Sequence, residues 1–139
     1  MIEFDYREER LHSGEIIFRP VAKIYLLRKN QDWIAEYCYV DSGADYTLIP
    51  YRIGRFLGFE NSASDEIKDI GGIGGAIGVR FTDIKMKISS YEFLCKIAWA
   101  QSDRVRFLLG RENVFENFEI TFRQKERKTI FIWTGSKSA

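Results

Sequence analysis

The chain predicts an all-β protein of a single domain. Its apolar residues recur mainly with a period of two: Ile84, Met86 and Ile88 alternate with Asp83, Lys85 and Lys87, and Phe118, Ile120 and Phe122 alternate with Glu119, Thr121 and Arg123. That spacing places apolar side chains on one face of a half-buried strand. Aromatic residues make up 15% of the sequence, alongside many β-branched ones, and both types favour strands. Only one segment carries a clear helical spacing. A length of 139 residues suits one domain and supports a real core.

In chain order, residues 1–17 are expected to form an N-terminal arm or extra strand, residues 18–134 the domain proper, and residues 135–139 a flexible tail. Val21–Leu27 and Trp33–Val40 read as strands. Ile53, Phe56 and Leu57 then fall at i, i+3 and i+4, with Pro50 suited to a helix start and Gly58 to a stop, so one short helix is expected despite Gly54. Residues 70–75, four glycines around Ile70 and Ile73, read as a hairpin tip followed by the strand residues Val79, Arg80 and Phe81. Tyr91–Ala100 is a further strand, and Leu108–Leu109 a core strand that ends at Gly110. A second helical turn is expected over 112–118. Residues 118–122 and 129–133, joined by polar residues 124–128, form a hairpin.

Composition narrows the function classes. Net charge is +1, so no global field favours nucleic acid or an acidic membrane, and basic clusters such as Lys125-Glu126-Arg127-Lys128 read as a solvated turn. No apolar stretch approaches the ~18 residues of a membrane helix. Charged residues follow Met1 closely, which argues against a secretory leader, and a cytoplasmic location is expected. Cys38 and Cys95 lie among apolar residues and read as buried thiols of a reducing compartment, with no disulfide framework and no metal knuckle. The single histidine, His12, sits in a polar stretch and reads as a surface residue. No metal and no cofactor are expected.

Three short elements carry chemistry. Asp41-Ser42-Gly43-Ala44 ends a buried strand. A carboxylate followed by a hydroxyl and a glycine is the set that holds a water-activating Asp, the Ser hydroxyl serving as a local or cross-axis hydrogen-bond partner and the glycine allowing close backbone approach. Alone it is weak, since an Asx turn at a strand end has the same composition. The second element, Ile70-Gly71-Gly72-Ile73-Gly74-Gly75, can lay backbone groups over a ligand. No Gly-Lys-Ser/Thr follows, so it is not a P-loop, and a strand follows where a dinucleotide fold needs a helix. By itself it also fits a flexible hairpin turn. The third, Leu108-Leu109-Gly110-Arg111, ends a core strand on one cation that could pair with Asp45, and by itself it also fits an ordinary strand end with a surface arginine.

In order and spacing these elements resemble the retropepsin family, the single-domain aspartic proteases typified by retroviral proteases. The resemblance runs from about residue 19 to residue 122, and the extra hairpin ending at Trp133 is more similar to prokaryotic and cellular members. It implies a closed barrel with one lobe per chain, active as a homodimer on a peptide or protein substrate. Asp41 would pair with the same residue of a second copy, with Ser42 and Gly43 completing the catalytic turn. Ala44, Asp45, Gly71, Gly72, Ile73 and Leu108 would contact substrate, Ile73 at the tip of a flap, and Asp45 and Arg111 would form an ion pair beside the site. Viral members usually carry Thr where Ser42 stands. Asp103-Arg104-Val105-Arg106 implies a more polar cleft than theirs, and both chain ends are extended. The implied activity is aspartic endopeptidase. The alternative is a non-catalytic or weakly active peptide-binding or dimerisation module on the same fold.

Overall fold

The computed structural model describes residues 1–61, 66–72 and 75–135. Twelve strands and one helix follow in the order β1 (Ile2–Asp5), β2 (Arg7–Arg10), β3 (Ile16–Arg19), β4 (Val21–Leu27), β5 (Trp33–Val40), β6 (Thr47–Ile49), α1 (Tyr51–Leu57), β7 (Lys68–Gly72), β8 (Gly75–Ile88), β9 (Tyr91–Ala100), β10 (Leu108–Leu109), β11 (Phe118–Arg123) and β12 (Lys128–Trp133). The strands expected at β4, β5 and β9 have the bounds their periodicity assigned.

The largest sheet runs β4-β5-β10-β6-β9-β8-β7, and β4 also pairs with β8. That last pairing, Tyr25 with Lys87 and Leu26 with Met86, closes six of the strands into a barrel and leaves β7 as a flange on β8. β10 lies parallel to β5 and antiparallel to β6, while β6 lies parallel to β9. The pairing of β7 with β8 makes the glycine-rich hairpin, with Lys68 opposite Val79 and Gly72 opposite Gly75. The strand residues 79–81 and 84–88, separate in the sequence reading, belong to one continuous strand of 14 residues.

Inside the barrel, Ile24, Leu26, Cys38, Met86, Ile88, Cys95, Ile97 and Leu109 are buried with Trp99 and Phe118 in one apolar cluster. A smaller cluster of Leu48, Val79, Ala98 and Ala100 lies beside it. Burial pushes the Cys95 thiol up to about 12 and raises that of Cys38 as well, because the apolar surroundings penalise the thiolate.

The N-terminal 19 residues form three strands rather than one. β2 and β3 pair with each other, and β1 joins β12 and β11 in a separate three-stranded sheet. Phe118 anchors this sheet to the barrel, its ring meeting Tyr91, Phe93, Phe131 and Trp133 edge-on at 5.1–6.1 Å. The expected β11–β12 hairpin forms, with Phe118 opposite Trp133. The second helical turn does not form a helix. Residues 112–117 are turns, with Phe115 N–H donating to the Arg111 carbonyl at 2.9 Å but Asn113 left-handed at φ 66°. That conformation lets the Asn113 side chain accept the Lys96 N–H of β9 at 2.8 Å, and this tertiary bond overrides helical propagation.

The one helix has no side-chain N-cap of its own. Its first amides are satisfied from the 102–103 loop: Tyr51 N–H donates to the Ser102 carbonyl, and Arg52 N–H to Asp103 Oδ1 at 2.8 Å. At its other end Gly58, at φ 98°, donates to the Arg55 carbonyl while Phe59 donates to Gly54, a Schellman closure. Gly54, which costs helix propensity, is what the packing requires. A Cβ there would lie 2.1 Å from Trp99 Nε1, and that indole N–H donates to the Tyr51 carbonyl while stacking on its ring at 5.2 Å.

Gly54→Ala is therefore expected to destabilise the fold by about 1–3 kcal/mol, in spite of alanine's better helix propensity, because Trp99 must leave its site. Urea denaturation with an unchanged midpoint would contradict this packing. A second expectation concerns the thiols. Their folded values lie above the ordinary 9.0, so the stability they contribute is complete below that pH and is lost as pH rises toward about 12. At mildly alkaline pH neither cysteine should react with a thiol reagent until urea unfolds the chain; stoichiometric labelling of the native protein would show them accessible.

Candidate active site

β5 delivers Asp41 to the open end of the barrel. Tyr39 and Val40 are held between β4 on one side and Leu108 and Leu109 of β10 on the other. The chain then turns. Asp41 N–H donates to the Leu109 carbonyl at 3.0 Å, and Asp41 Oδ1 accepts the Gly43 N–H at 2.9 Å. The Asx turn that composition alone allowed is thus present. It fixes the carboxylate by one oxygen and leaves Asp41 half-buried rather than sunk in the core.

The turn is stitched to a second segment. Arg111 N–H donates to the Ala44 carbonyl at 3.0 Å and Glu112 N–H to Asp45 at 2.9 Å. Gly110 N–H donates to Oγ1 of the buried Thr47 at 3.1 Å. A Cβ on Gly110 would stand 2.2 Å from the Tyr46 carbonyl oxygen, so only glycine permits this approach. The Arg111 side chain clamps the turn from outside, donating to the Ser42 carbonyl at 2.7 Å and pairing with the Asp45 carboxylate.

The Asp45–Arg111 pair is more exposed than a partly buried bridge. The two side chains keep 74% and 45% of their accessibility, which limits the coulombic part to the range of surface pairs, about 0–1 kcal/mol.

In front of the turn opens a cleft of about 910 Å³. That is near the top of the roughly 300–1,000 Å³ of ligand pockets, enough for a chain segment rather than a single small group. It is lined by Asp41, Gly43, Ala44 and Asp45 of the turn and by Gly71 with residues 75–78 of the β7–β8 hairpin. Its walls are Leu48, Ile70, Ile77, Val105 and Leu108, which pack onto or belong to the smaller apolar cluster.

Of the site residues expected from sequence, Asp41, Gly43, Ala44, Asp45, Gly71 and Leu108 line this one cleft. Ser42 and Arg111 are not among its lining residues, and Gly72 lies on β7 opposite Gly75. Ile73 falls outside the described residues. Sequence reasoning missed Leu48, Ile70 and Ile77 as walls. Their signal was present as apolar positions flanking each motif, but nothing local says that three distant segments face one space. Gln101 and Ser102 were missed likewise, whereas Arg104 and Val105 stand in the run read as polarising the cleft.

Beside the site, Tyr39 donates its hydroxyl to Glu9 of β2, and Arg7 and Arg106 lie 5.5 and 5.3 Å from its ring centre. Burial and then the Glu9 carboxylate raise the Tyr39 phenol above its ordinary value. Among the described residues no group of three or more His, Cys, Asp or Glu is arranged to hold a metal ion, and no helix is long and apolar enough to cross a membrane.

No protein-family model matches the chain, and no curated protein matches it. Among solved structures the chain is similar to the EIAV protease complexed with the inhibitor HBY-793. Identity is 22%, the match covers 67% of this chain and 82% of that one, and the TM-score is 0.52. The fold is retropepsin-like: a mostly β, closed six-stranded barrel with one short helix.

Arg111→Ala is expected to lower stability by no more than about 1 kcal/mol in a single chain, since the backbone bonds of residues 110–112 survive it. A loss of several kcal/mol in chemical denaturation would mean that the guanidinium is desolvated in solution, by a second copy or otherwise.

Proposed function

We propose that the protein is an aspartic endopeptidase that acts as a homodimer. One observation carries this: of the two acids on the floor of the cleft, Asp45 is committed to Arg111, and Asp41 alone faces the space with an oxygen to spare. Acid–base cleavage of a peptide by a bound water needs two carboxylates side by side, so the second must come from another copy of the chain, across a two-fold axis at the open end of the barrel.

In that pair two carboxylates about 3 Å apart share one proton, since both cannot ionise cheaply, and the dyad titrates in two steps. The ionised member takes a proton from the water as it attacks the peptide carbonyl. The protonated member donates to the oxygen on which charge develops. The fixed Asx turn keeps each carboxylate in place with little reorganisation, which is the electrostatic advantage of a preorganised site. An extended substrate would lie between the apolar walls, its backbone hydrogen-bonding in the manner of an added strand. The β7–β8 hairpin, closing over it, would keep out bulk water.

Asp41→Asn should abolish hydrolysis of a peptide library while leaving the melting transition intact. Undiminished turnover by that variant would refute the mechanism, and peptide binding without turnover by the native chain would mark it as a binding module. Sedimentation over a concentration series should reveal a reversible dimer. The rate should follow a bell-shaped pH profile whose two limbs belong to the dyad, and a flat profile would remove the shared proton from the account.

A further inference from the structure

Among the described residues, Arg104 is the only lysine or arginine in the lining of the cleft. Its loop is held at the rim by the Arg104 N–H, which donates to Ser102 Oγ at 3.0 Å, and by Val105, which packs against the apolar wall. Two neighbouring acids, Asp103 and Asp45, are paired with other arginines. Asp103 accepts the Arg52 N–H at 2.8 Å and pairs with the Arg52 guanidinium at 3.4 Å, and Asp45 is held by Arg111. Arg106, two residues on, lies over the Tyr39 ring. Arg104 itself has no ion-pair partner among the described residues. Arg104 thus brings a cation into a lining that combines the polar Gln101 and Ser102 with the apolar Leu48, Ile70, Ile77, Val105 and Leu108.

We propose that Arg104 determines specificity, selecting extended peptides that combine apolar side chains near the reacting bond with an acidic side chain at the rim. This rests on the reading of the cleft as a peptide site. The guanidinium fork matches a carboxylate in a bidentate, charge-assisted pair, and such a pair strengthens as a closing hairpin removes water. Glutamate in the peptide satisfies the cation, whereas glutamine gives up its charge. In a two-fold dimer the partner's copy of the same loop stands at the symmetry-related end of the cleft, so the acidic preference appears on both sides of the bond.

The test is binding by the native protein to short apolar peptides whose central bond is replaced by a non-hydrolysable hydroxyethylene isostere. Glu is walked through each position, and every peptide is compared with its Gln counterpart by fluorescence anisotropy. At one position or a symmetric pair, Glu should bind about tenfold tighter than Gln, and the gap should narrow as salt rises. It should vanish in Arg104→Gln, and Arg104→Glu should favour Lys in place of Glu, with unchanged melting temperatures for both variants. Equal binding of Glu and Gln peptides at every position, a gap that persists in Arg104→Gln, or no binding of any peptide would overturn the assignment. Loss of cleavage on the parent peptides with the Glu–Gln gap intact would refute the peptidase and leave the acidic selection standing.

Discussion

The structure depends on the close contact between two backbone segments, residues 41–47 and residues 109–112. Four N–H groups cross between them: Asp41 to Leu109, Arg111 to Ala44, Glu112 to Asp45, and Gly110 to the buried Thr47 hydroxyl. The bond from the buried Gly110 removes a donor that would otherwise be costly. The contact exists only because Gly110 has no side chain to meet the Tyr46 carbonyl. It holds the Asp41 turn at the end of β5, and it brings Leu108 in register with both Tyr39 and Leu48, inserting the two-residue β10 between β5 and β6. The place of β10 in the barrel and the placement of the carboxylate are consequences of the same set of bonds.

Around that contact the molecule divides its stabilisation from its chemistry. The large core inside the barrel, continued by Phe118 into the sheet of β1, β12 and β11, is closely packed and free of charge. The smaller cluster of Leu48, Val79, Ala98 and Ala100 is buried, and the partly buried Ile70, Ile77, Val105 and Leu108 packed against it carry it into the cleft wall. Apolar area left uncovered beside a half-exposed carboxylate is unfavourable in a lone chain and useful for a ligand, which recovers it on binding. The helix serves the same division. The 102–103 loop caps its N-terminus through Ser102 and Asp103, and the next residues along that loop, Arg104 and Val105, form the cleft rim. Helix capping and rim placement therefore share one loop.

The proposed function and the acidic preference meet at the accounting of charge. Asp45 and Asp103 are each paired with an arginine, which leaves Asp41 and Arg104 as the charged groups of the cleft without an ion-pair partner among the described residues. A space lined by apolar residues together with Gln101, Ser102, one unpaired acid and one unpaired cation is suited to a polar backbone flanked by apolar and acidic side chains. Under the proposed function Asp41 is single in each chain, and symmetry is the least costly way for one short chain to supply a second acid.

What local sequence determined was the identity and extent of most elements. The strands of β4, β5 and β9 followed from periodicity, and the helix from Pro50, Gly58 and the spacing of Ile53, Phe56 and Leu57, because side-chain period and terminal residues act over a few positions. The motifs at Asp41, Gly71 and Gly110 were legible for the same reason: each is a local turn whose residue types are constrained. Tertiary structure alone decided the parallel pairings of β10 with β5 and β6 with β9, the closure of β4 on β8, and the three-stranded sheet that joins the two ends of the chain. It decided that Gly54 makes room for Trp99, that Asn113 serves β9 rather than a helix, and that Leu48, Ile77 and Arg104 face the same cleft. Those outcomes join residues tens of positions apart. Each is selected by which long-range contact buries more apolar surface and leaves fewer backbone groups unpaired, and a local pattern does not carry that comparison.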